Sequence, residues 1–385
     1  MQGDFYCLFL FDADFYCKHF GGIHMNKDKI NEYISISKSF AKKLIVIVIG
    51  NAKEVTRVDS DFTDGTSIVS EYYALQKFNY IVATLQDAGF ETLSYFDEMD
   101  FIHDYLTQRI RNNYYKPFVV LNFAQKGLVH GRKSLIPVFC EMNNIIHTNS
   151  DPFVCSLVRE KYIWYKLLEG IVPVCNTWLY DPQLGWIDSY PSIGKKVIVK
   201  LENQCSSIGL DTRNVFSYSH QNDSYIIELA QRYSSRVVVQ EFIEGYEVEF
   251  PFCYDGMDVY CLRPQGIKIE GERYIGKKIL AYETRKNHEY EFYNFDEFNP
   301  ILSAKICSSV EKIAKVINMQ GMGRIDCRIN SNGDYYFTDV NSNPHLIEIA
   351  SPAEALRQIG LNEYSNLLHL LIGITITRHP NQIKL

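Results

Sequence analysis

Two segments near the carboxyl end of the chain alternate apolar and polar side chains and are joined by a short polar turn. The segments are residues 321–329 and 334–341, and the turn is Asn330-Ser-Asn-Gly333. Since side chains in a β-hairpin alternate between its two faces, the pattern places four polar residues on one face: Arg324, Asp326, Asp339 and Asn341. Two carboxylates and an amide oxygen suit Mg²⁺ bound to a nucleoside triphosphate. The pattern therefore predicts a site for Mg²⁺ or Mn²⁺ at Asp326, Asp339 and Asn341, against the alternative of a solvated polar face.

Four segments upstream of the hairpin carry charged or hydroxyl side chains near the ends of predicted strands and helices. In chain order they are 65–71, 148–161, 197–209 and 237–247. Together with the hairpin they resemble the ATP-grasp superfamily, and specifically its D-alanine–D-alanine ligase branch, in the order in which that family has them. A single motif of this kind has little specificity, whereas five in one order are strong evidence of similarity. The resemblance covers the chain from about residue 44 onward.

The resemblance implies an ATP site. Taken alone, Lys161 and Lys200 would be surface charges, but in the family's order such lysines contact the nucleotide phosphates. Ser206 lies in the segment that resembles the loop covering those phosphates. The implied contacts of adenine and ribose are on one strand and the linker that follows it: Gln240, Glu241, Phe242, Ile243 and Glu247.

The resemblance also implies three residues that act on the substrates. Glu71 is expected to anchor the ammonium group of a first amino acid. Arg324 is expected to serve the reacting carboxylate or the oxyanion, with an ion pair to a neighbouring acid as the alternative. Arg285 lies in residues 274–295, which resemble a flexible loop that closes on the site and excludes water.

ATP-grasp ligases phosphorylate a carboxylate, and an amine then attacks the resulting acyl phosphate. The resemblance therefore implies an ADP-forming carboxylate–amine ligase acting on small molecules, with an amino acid as the expected donor. Two alternatives are D-alanine–D-alanine ligation itself and a kinase-like ATP-grasp enzyme that stops at phosphorylation. A non-catalytic nucleotide-binding relative is less consistent with three metal ligands and both lysines.

The chain departs from the ligase pattern at several positions. Cys205 replaces a glycine of the phosphate loop, and Arg285 with Lys286 replaces a lysine–tyrosine pair. Glu348 and Ala350 stand where the family binds the carboxylate of the second amino acid. Because an ionised Glu348 would repel a carboxylate, the sequence predicts an acceptor without one.

Composition limits the classes of partner. The net charge is −7, so no basic surface is expected for nucleic acid or membranes. The ten cysteines are scattered without a CxxC pair, which favours a reducing cytoplasm over a disulfide or zinc framework. The apolar run at 44–49 is too short to span a bilayer, and the amino terminus has no pattern of an export signal.

The expected fold is α/β, with an N-terminal parallel-sheet domain and two ATP-grasp domains that enclose the nucleotide. The predicted boundaries are 1–40 for an extension of unknown role or a homodimer contact, 41–152 for the substrate domain, and 153–240 and 241–385 for the ATP-grasp domains. Apolar runs predict strands at 44–49, 118–122, 197–200 and 237–241. Periodic patterns predict helices at 68–88, 152–166 and 301–318.

Overall fold

The computed structural model describes residues 27–57, 67–127, 130–204 and 207–383. The apolar run at 5–11, a candidate strand in the sequence, lies outside these ranges, as do Cys205 and Ser206. The described residues contain three β-sheets, each with its own helices.

The first sheet is parallel and has the strand order β2-β1-β3-β4. All five residues of β1 are buried, as expected for a central parallel strand covered on both faces. This confirms the predicted strands at 44–49 and 118–122. The strands are β1 (Ile45–Ile49), β2 (Glu91–Tyr95), β3 (Phe118–Asn122) and β4 (Ile146–His147). The helices before and between them are α1 (Lys27–Phe40), α2 (Leu75–Asp87), α3 (Glu98–Leu106), α4 (Arg109–Asn113) and α5 (Leu135–Met142).

The helix predicted at 68–88 is interrupted. A 3-10 turn spans Ile68–Glu71, and α2 begins only at Leu75. Between them, the backbone of Tyr73 pairs with the chain after β1, because its N–H donates to the carbonyl of Asn51 (3.1 Å) and its carbonyl accepts from Lys53 (2.8 Å). That pairing requires an extended conformation, which local helical periodicity does not reveal.

The second sheet is antiparallel and has the order β6-β5-β9-β7-β8. The predicted strands at 197–200 and 237–241 are confirmed as its two central strands. The helix predicted at 152–166 is instead two helices, and the break at 158–160 directs Arg159 towards Glu71 and the carbonyl of Asn203. The elements are α6 (Pro152–Leu157), α7 (Lys161–Leu168), β5 (Thr177–Asp181), β6 (Gly185–Trp186), β7 (Lys196–Leu201), β8 (Val215–Ser217), α8 (Asp223–Arg232) and β9 (Val237–Glu241).

The third sheet has the order β13-β12-β10-β14-β15, and β11 pairs with β10. Its strands are β10 (Tyr246–Tyr254), β11 (Val259–Cys261), β12 (Gln265–Lys268), β13 (Glu291–Asn294), β14 (Gly321–Ile329) and β15 (Tyr335–Asn341). Its helices are α9 (Tyr282–Lys286), α10 (Phe295–Phe298), α11 (Pro300–Val316), α12 (Ser351–Arg357) and α13 (Ser365–Arg378). Helix α11 confirms the prediction at 301–318. Its start is fixed by Asn299, whose side chain accepts from the N–H of Leu302, and by proline at the first helical position.

The segment 274–295 is more ordered than the predicted flexible loop. It contains α9 and ends in β13, which pairs along β12. Ile275 and Leu280 are buried against Ile267 and Ile269 of the third sheet. This apolar packing holds the start of the segment, and the pairing of β13 with β12 holds its end.

The predicted domain boundaries remain predictions, but the sheets can be compared with them. Residue 152 lies between the first and second sheets, whereas residue 240 falls inside β9. Within the described ranges, none of the helices combines the length and apolar character needed to cross a bilayer.

The part of the extension that the structure describes belongs to the core of the first sheet. Helix α1 packs along α13, and its Ile30 and Tyr33 are 1% exposed. The two helices approach closely at Gly373, where an added Cβ would lie 2.0 Å from the carbonyl oxygen of Tyr33. Glycine at 373 therefore permits this helix contact.

Replacing Gly373 by alanine is expected to destabilise the protein by about 2 kcal/mol, because α1 must shift away from α13. Alanine normally stabilises a helix relative to glycine by about 1 kcal/mol. A destabilised variant would therefore show that the contact with α1 outweighs helix propensity. Urea unfolding measures it, with Ser35→Ala on the exposed face of α1 as the control. A stabilised Gly373→Ala protein would contradict the packing of α1 on α13.

Candidate active site

A cleft between the second and third sheets collects the predicted site residues. Of the fourteen residues proposed from the sequence, thirteen line it, and the other, Ser206, lies outside the described residues. The cleft runs from β7 and β9 past the hairpin of β14 and β15 to the loop that precedes α2. Residues predicted from five separate segments are thus neighbours in space.

One end of the cleft is formed by β9 and the linker after it. Gln240, Glu241, Phe242 and Ile243 line this end. The Gln240 side chain is buried, its Oε1 accepts from Nζ of Lys200 (3.1 Å), and its Nε2 has no partner among the described residues. In contrast, the Glu241 carboxylate is held by Asn176 (2.7 Å) and Lys195 (3.0 Å), so a contact from Glu241 to adenine would use its backbone.

Two lysines face the middle of the cleft. Nζ of Lys161 donates to the carbonyls of Glu202 (3.1 Å) and Gln204 (2.5 Å), at the start of the predicted phosphate loop. Burial lowers the pKa of Lys200, and Asp339 opposes that effect. A buried cation with one amide contact is well suited to hold an anion such as a phosphate.

The hairpin places the four predicted residues opposite one another in two cross-strand pairs. Asp326 lies opposite Asp339, and Arg324 lies opposite Asn341, with a bulge directly after Asp326. The turn is built by Asn330, whose Oδ1 accepts from two backbone N–H groups, and by Gly333 at a φ of +84°. The bulge brings the carboxylates together, because the register that starts at the turn pairs Cys327 with Phe337 and would, if it continued, place Asp326 opposite Thr338.

The hairpin residues suit a divalent cation. Burial raises the pKa of Asp326, Arg324 lowers it, and the nearby carboxylates of Glu249 and Asp339 raise it again. Clustered buried carboxylates are stabilised by a cation, and two carboxylates with an amide oxygen match the ligands that Mg²⁺ prefers. No group of three or more His, Cys, Asp or Glu side chains forms a metal site in the described ranges, so the amide of Asn341 is an essential part of this set.

Arg324 is fixed by two buried acids. Its guanidinium binds both oxygens of Asp326 (2.7 and 2.8 Å), and Nη1 lies 3.4 Å from Glu249. Glu249 also accepts from the Ser351 hydroxyl (2.5 Å) and lies 3.8 Å from Arg285. The ion pair that was the alternative role of Arg324 is therefore present, and the same residue faces the cleft.

Glu71 lies at the far end of the cleft, where two arginines contact its carboxylate. Its carboxylate is 2% exposed, with Oε1 2.6 Å from Nη2 of Arg132 and Oε2 3.6 Å from Nη1 of Arg159. Although burial opposes ionisation, the two guanidinium groups hold the pKa of Glu71 at about 2. The role of Glu71 as the anchor of a substrate ammonium group stays a prediction.

Glu348 is also placed differently from the prediction. Its carboxylate forms an ion pair with Lys77, its backbone carbonyl accepts from Arg357 (2.7 Å), and it does not line the cleft. The repulsion expected between Glu348 and an acceptor carboxylate therefore has no basis in this structure. This segment therefore does not restrict the chemistry of the acceptor.

Several cleft residues were missed in the sequence. Arg328 continues the alternation of Arg324 and Asp326 along β14, so the period of two could have identified it. Lys133 lies in a segment that superficially resembles a phosphate loop, and it contacts Oδ1 of Asn341 at 3.5 Å. Gln125 in the loop after β3 and Asn343 in the loop after β15 also line the cleft, and neither has such a signal.

Comparison with known proteins agrees with this geometry. Residues 189–373 match the family described as D-ala D-ala ligase C-terminus. The D-alanine–D-alanine ligase of Aquifex aeolicus is 23% identical over 268 residues, which cover 67% of this chain and 81% of that protein. The chain is similar to D-alanine–D-alanine ligases over about two thirds of its length.

Solved structures place this ATP-grasp protein in the same fold. The D-alanine–D-alanine ligase of Bacillus anthracis complexed with ATP has a TM-score of 0.63 and 16% identity, covering 87% of this chain and 97% of that one. The VanG D-Ala:D-Ser ligase of Enterococcus faecalis has a TM-score of 0.59 and 17% identity, covering 87% and 99%. The predicted resemblance to these ligases and the predicted fold class are therefore confirmed.

Lys200 provides a direct test of the cleft as an ATP site. Because Lys200 lines the cleft beside Asp339 and Gln240, Lys200→Met is expected to reduce kcat/KM for ATP by about a hundredfold, or roughly 3 kcal/mol. Stability should change little, since burial already disfavours the ammonium. Steady-state kinetics and thermal unfolding measure both quantities, with Lys268→Met on β12 as the control. Unchanged ATP kinetics would remove Lys200 from the site.

Proposed function

We propose that this ATP-grasp protein is an ADP-forming ligase that activates a carboxylate as an acyl phosphate and couples it to an amine. The observation that carries the proposal is one cleft in which two lysines, Arg324 and a hairpin with three oxygen ligands converge. The named relatives are ligases, which is the class predicted from the sequence.

The nucleotide is proposed to lie along β9 and β7. Adenine would contact Gln240 and the backbone of the linker after it, and the ribose would contact Glu247. The phosphates would lie between Lys161 and Lys200, and Asp326, Asp339 and Asn341 would hold Mg²⁺ or Mn²⁺ beside them. When bound there, the metal would neutralise phosphate charge and orient the transferring group.

The substrates are proposed to meet near Arg324. A carboxylate oxygen of the donor would attack the terminal phosphorus of ATP, and ADP would leave with the electrons of the broken P–O bond. An amine would then attack the acyl carbon, release phosphate and lose a proton. Arg324 would stabilise the carbonyl oxygen of the acyl phosphate as it becomes negatively charged during attack by the amine, where a fixed cation in a poorly hydrated site is most effective.

Hydroxylamine tests the reaction class. It replaces the amine and converts an acyl phosphate into a stable hydroxamate, so hydroxamate that depends on ATP and a carboxylate would support the ligase. Phosphorylated product without hydroxamate would indicate the kinase-like alternative. Amine-dependent ADP release with D-alanine as both donor and acceptor would indicate D-alanine–D-alanine ligation.

We also propose that the protein acts in the cytoplasm on small molecules, where ATP is supplied. The seven cysteines that the structure describes are all buried and none is in a disulfide, which supports a reducing compartment. A homodimer is a further proposal, and light scattering on the purified chain tests it.

A further inference from the structure

The ribose end of the cleft contains a buried arginine that no motif in the sequence identified. Arg328 lies on β14 directly opposite Glu247 of β10, the residue proposed to contact the ribose. It is 5% exposed and lines the cleft. Because side chains alternate along a strand, Arg328 lies on the same face as Arg324 and Asp326. Its guanidinium therefore belongs to the nucleotide side of the sheet.

The contacts of Arg328 leave one of its donor groups open. Nη2 donates to the backbone carbonyl of Lys278 (2.8 Å), and the guanidinium lies over the ring of Phe242, 5.0 Å from its centroid. These two contacts fix the orientation of the planar group. Nη1 lies 3.6 Å from Oε2 of Glu247, which is close enough for an ion pair but too far for a hydrogen bond. Nη1 is buried and has no hydrogen-bond partner among the described residues.

The gap between Arg328 and Glu247 matches one hydroxyl group of a ligand. The two side chains form a neutral pair, and the other acid near Arg328, Glu244, is itself paired with Lys196. A group that satisfies both members of the neutral pair must accept from Nη1 and donate to the carboxylate. A hydroxyl does both, because its oxygen accepts while its hydrogen is donated. A methylene group does neither.

The position of Phe242 indicates which ribose hydroxyl fills the gap. Phe242 belongs to the linker that is proposed to contact adenine, so Arg328 lies between the adenine end of the cleft and Glu247. In a nucleotide, C2′ is bonded to the carbon that carries the base, whereas C3′ is one bond further away. The 2′-hydroxyl is therefore the nearer of the two hydroxyls to Arg328.

We propose that Arg328 is a nucleotide-binding residue that makes the protein selective for ATP over 2′-deoxy-ATP. The 2′-hydroxyl accepts from Nη1 of Arg328 and donates to the carboxylate of Glu247. Without that hydroxyl, Nη1 stays buried and unsatisfied, and a site with such an unpaired group rejects the smaller ligand. This inference rests on the proposed ATP-dependent function and adds the residue that selects the nucleotide.

Three nucleotides test the inference on the full-length wild-type protein: ATP, 2′-deoxy-ATP and 3′-deoxy-ATP, each with Mg²⁺. Calorimetric titration measures their dissociation constants without any turnover. We expect 2′-deoxy-ATP to bind at least about thirtyfold more weakly than ATP, and 3′-deoxy-ATP to lose less affinity. Equal affinities for ATP and 2′-deoxy-ATP would overturn the inference, as would a larger loss with 3′-deoxy-ATP.

Variants test Arg328 itself through the ratio of the dissociation constants of 2′-deoxy-ATP and ATP. Arg328→Met removes the donor but keeps an apolar side chain against Phe242, so the ratio should fall below about fivefold. Arg328→Lys keeps the charge without the planar fork, so its ratio should be intermediate. Arg273→Met is the control, because Arg273 also lies over aromatic rings, those of Tyr293 and Phe298, but does not line the cleft. A ratio of wild-type size in Arg328→Met would contradict the role of Arg328.

The outcomes separate this inference from the proposed ligase. Selective binding of ATP without ATP-dependent hydroxamate from any carboxylate would overturn the ligase and leave the inference intact. Hydroxamate formed as efficiently with 2′-deoxy-ATP as with ATP would overturn the inference and leave the ligase intact. If neither nucleotide bound, both would be overturned.

Discussion

Replacing Asp339 by alanine is expected to reduce turnover on the order of a thousandfold, and Asn341→Ala should act similarly. Removing one hard oxygen ligand weakens the site for the divalent cation and loses several kcal/mol of stabilisation of the transferring phosphoryl group. Initial rates of ADP release at saturating ATP and Mg²⁺ measure the effect. EDTA should abolish turnover of the wild type, and added Mg²⁺ or Mn²⁺ should restore it.

The control for this prediction lies on the same hairpin. Asp334 is an exposed carboxylate next to the turn, where it contacts only Asn330 among its described side-chain hydrogen bonds. Asp334→Ala should therefore retain turnover. Calorimetric titration of Mg²⁺–ATP adds a readout independent of catalysis, and binding should weaken in Asp339→Ala alone of these two variants. Near-wild-type turnover of Asp339→Ala would exclude the hairpin as the metal site.

Arg324→Met is expected to lower both stability and activity. Arg324 is the arginine between the buried acids Asp326 and Glu249, and the loss of one partner from a buried ion cluster typically costs about 3–5 kcal/mol. The same change removes the cation from the reacting carboxylate, so turnover should fall by at least about a hundredfold. Urea unfolding and ADP release measure the two effects separately.

A second substitution distinguishes the two roles of Arg324. Arg324→Lys keeps a positive charge between the acids but loses the bidentate contact with Asp326, so it should recover more stability than activity. Addition of Mg²⁺ should stabilise Arg324→Met more than the wild type, because the metal would compensate the unpaired carboxylates. If Arg324→Met were as stable as the wild type, the buried cluster would not be as the structure describes it.

The parts of this site that are local in sequence were predictable. The hairpin and its turn at Asn330 and Gly333 follow from side-chain alternation and turn chemistry, but the bulge after Asp326 that sets the final register has no such signal. Strand β1 was identifiable because a continuous β-branched run is typical of a central parallel strand. The resemblance to the ligases and the fold class were confirmed. The roles of the individual site residues stay predictions.

The contacts that the sequence did not predict join residues far apart along the chain. Glu71 meets Arg132 and Arg159, which lie 61 and 88 positions later, and Lys77 meets Glu348 across 271 positions. A single sequence contains no signal for such pairings, since each charged residue has many possible partners. The break between α6 and α7 belongs to the same class, because the contacts of Arg159 become visible only once the sheets are assembled.

The packing of α1 against α13 has a consequence for the order of folding. The hydroxyl of Ser37 and Nδ1 of His369 lie 2.9 Å apart although 332 positions separate them in sequence. The core that contains Val46 and Val48 of β1 also contains Leu367 and Leu371 of α13. During synthesis, the first sheet is made early, yet its apolar surface stays uncovered until α13 leaves the ribosome. Contacts of such sequence separation fold slowly, so the nascent chain exposes an aggregation-prone surface while the second and third sheets are synthesised.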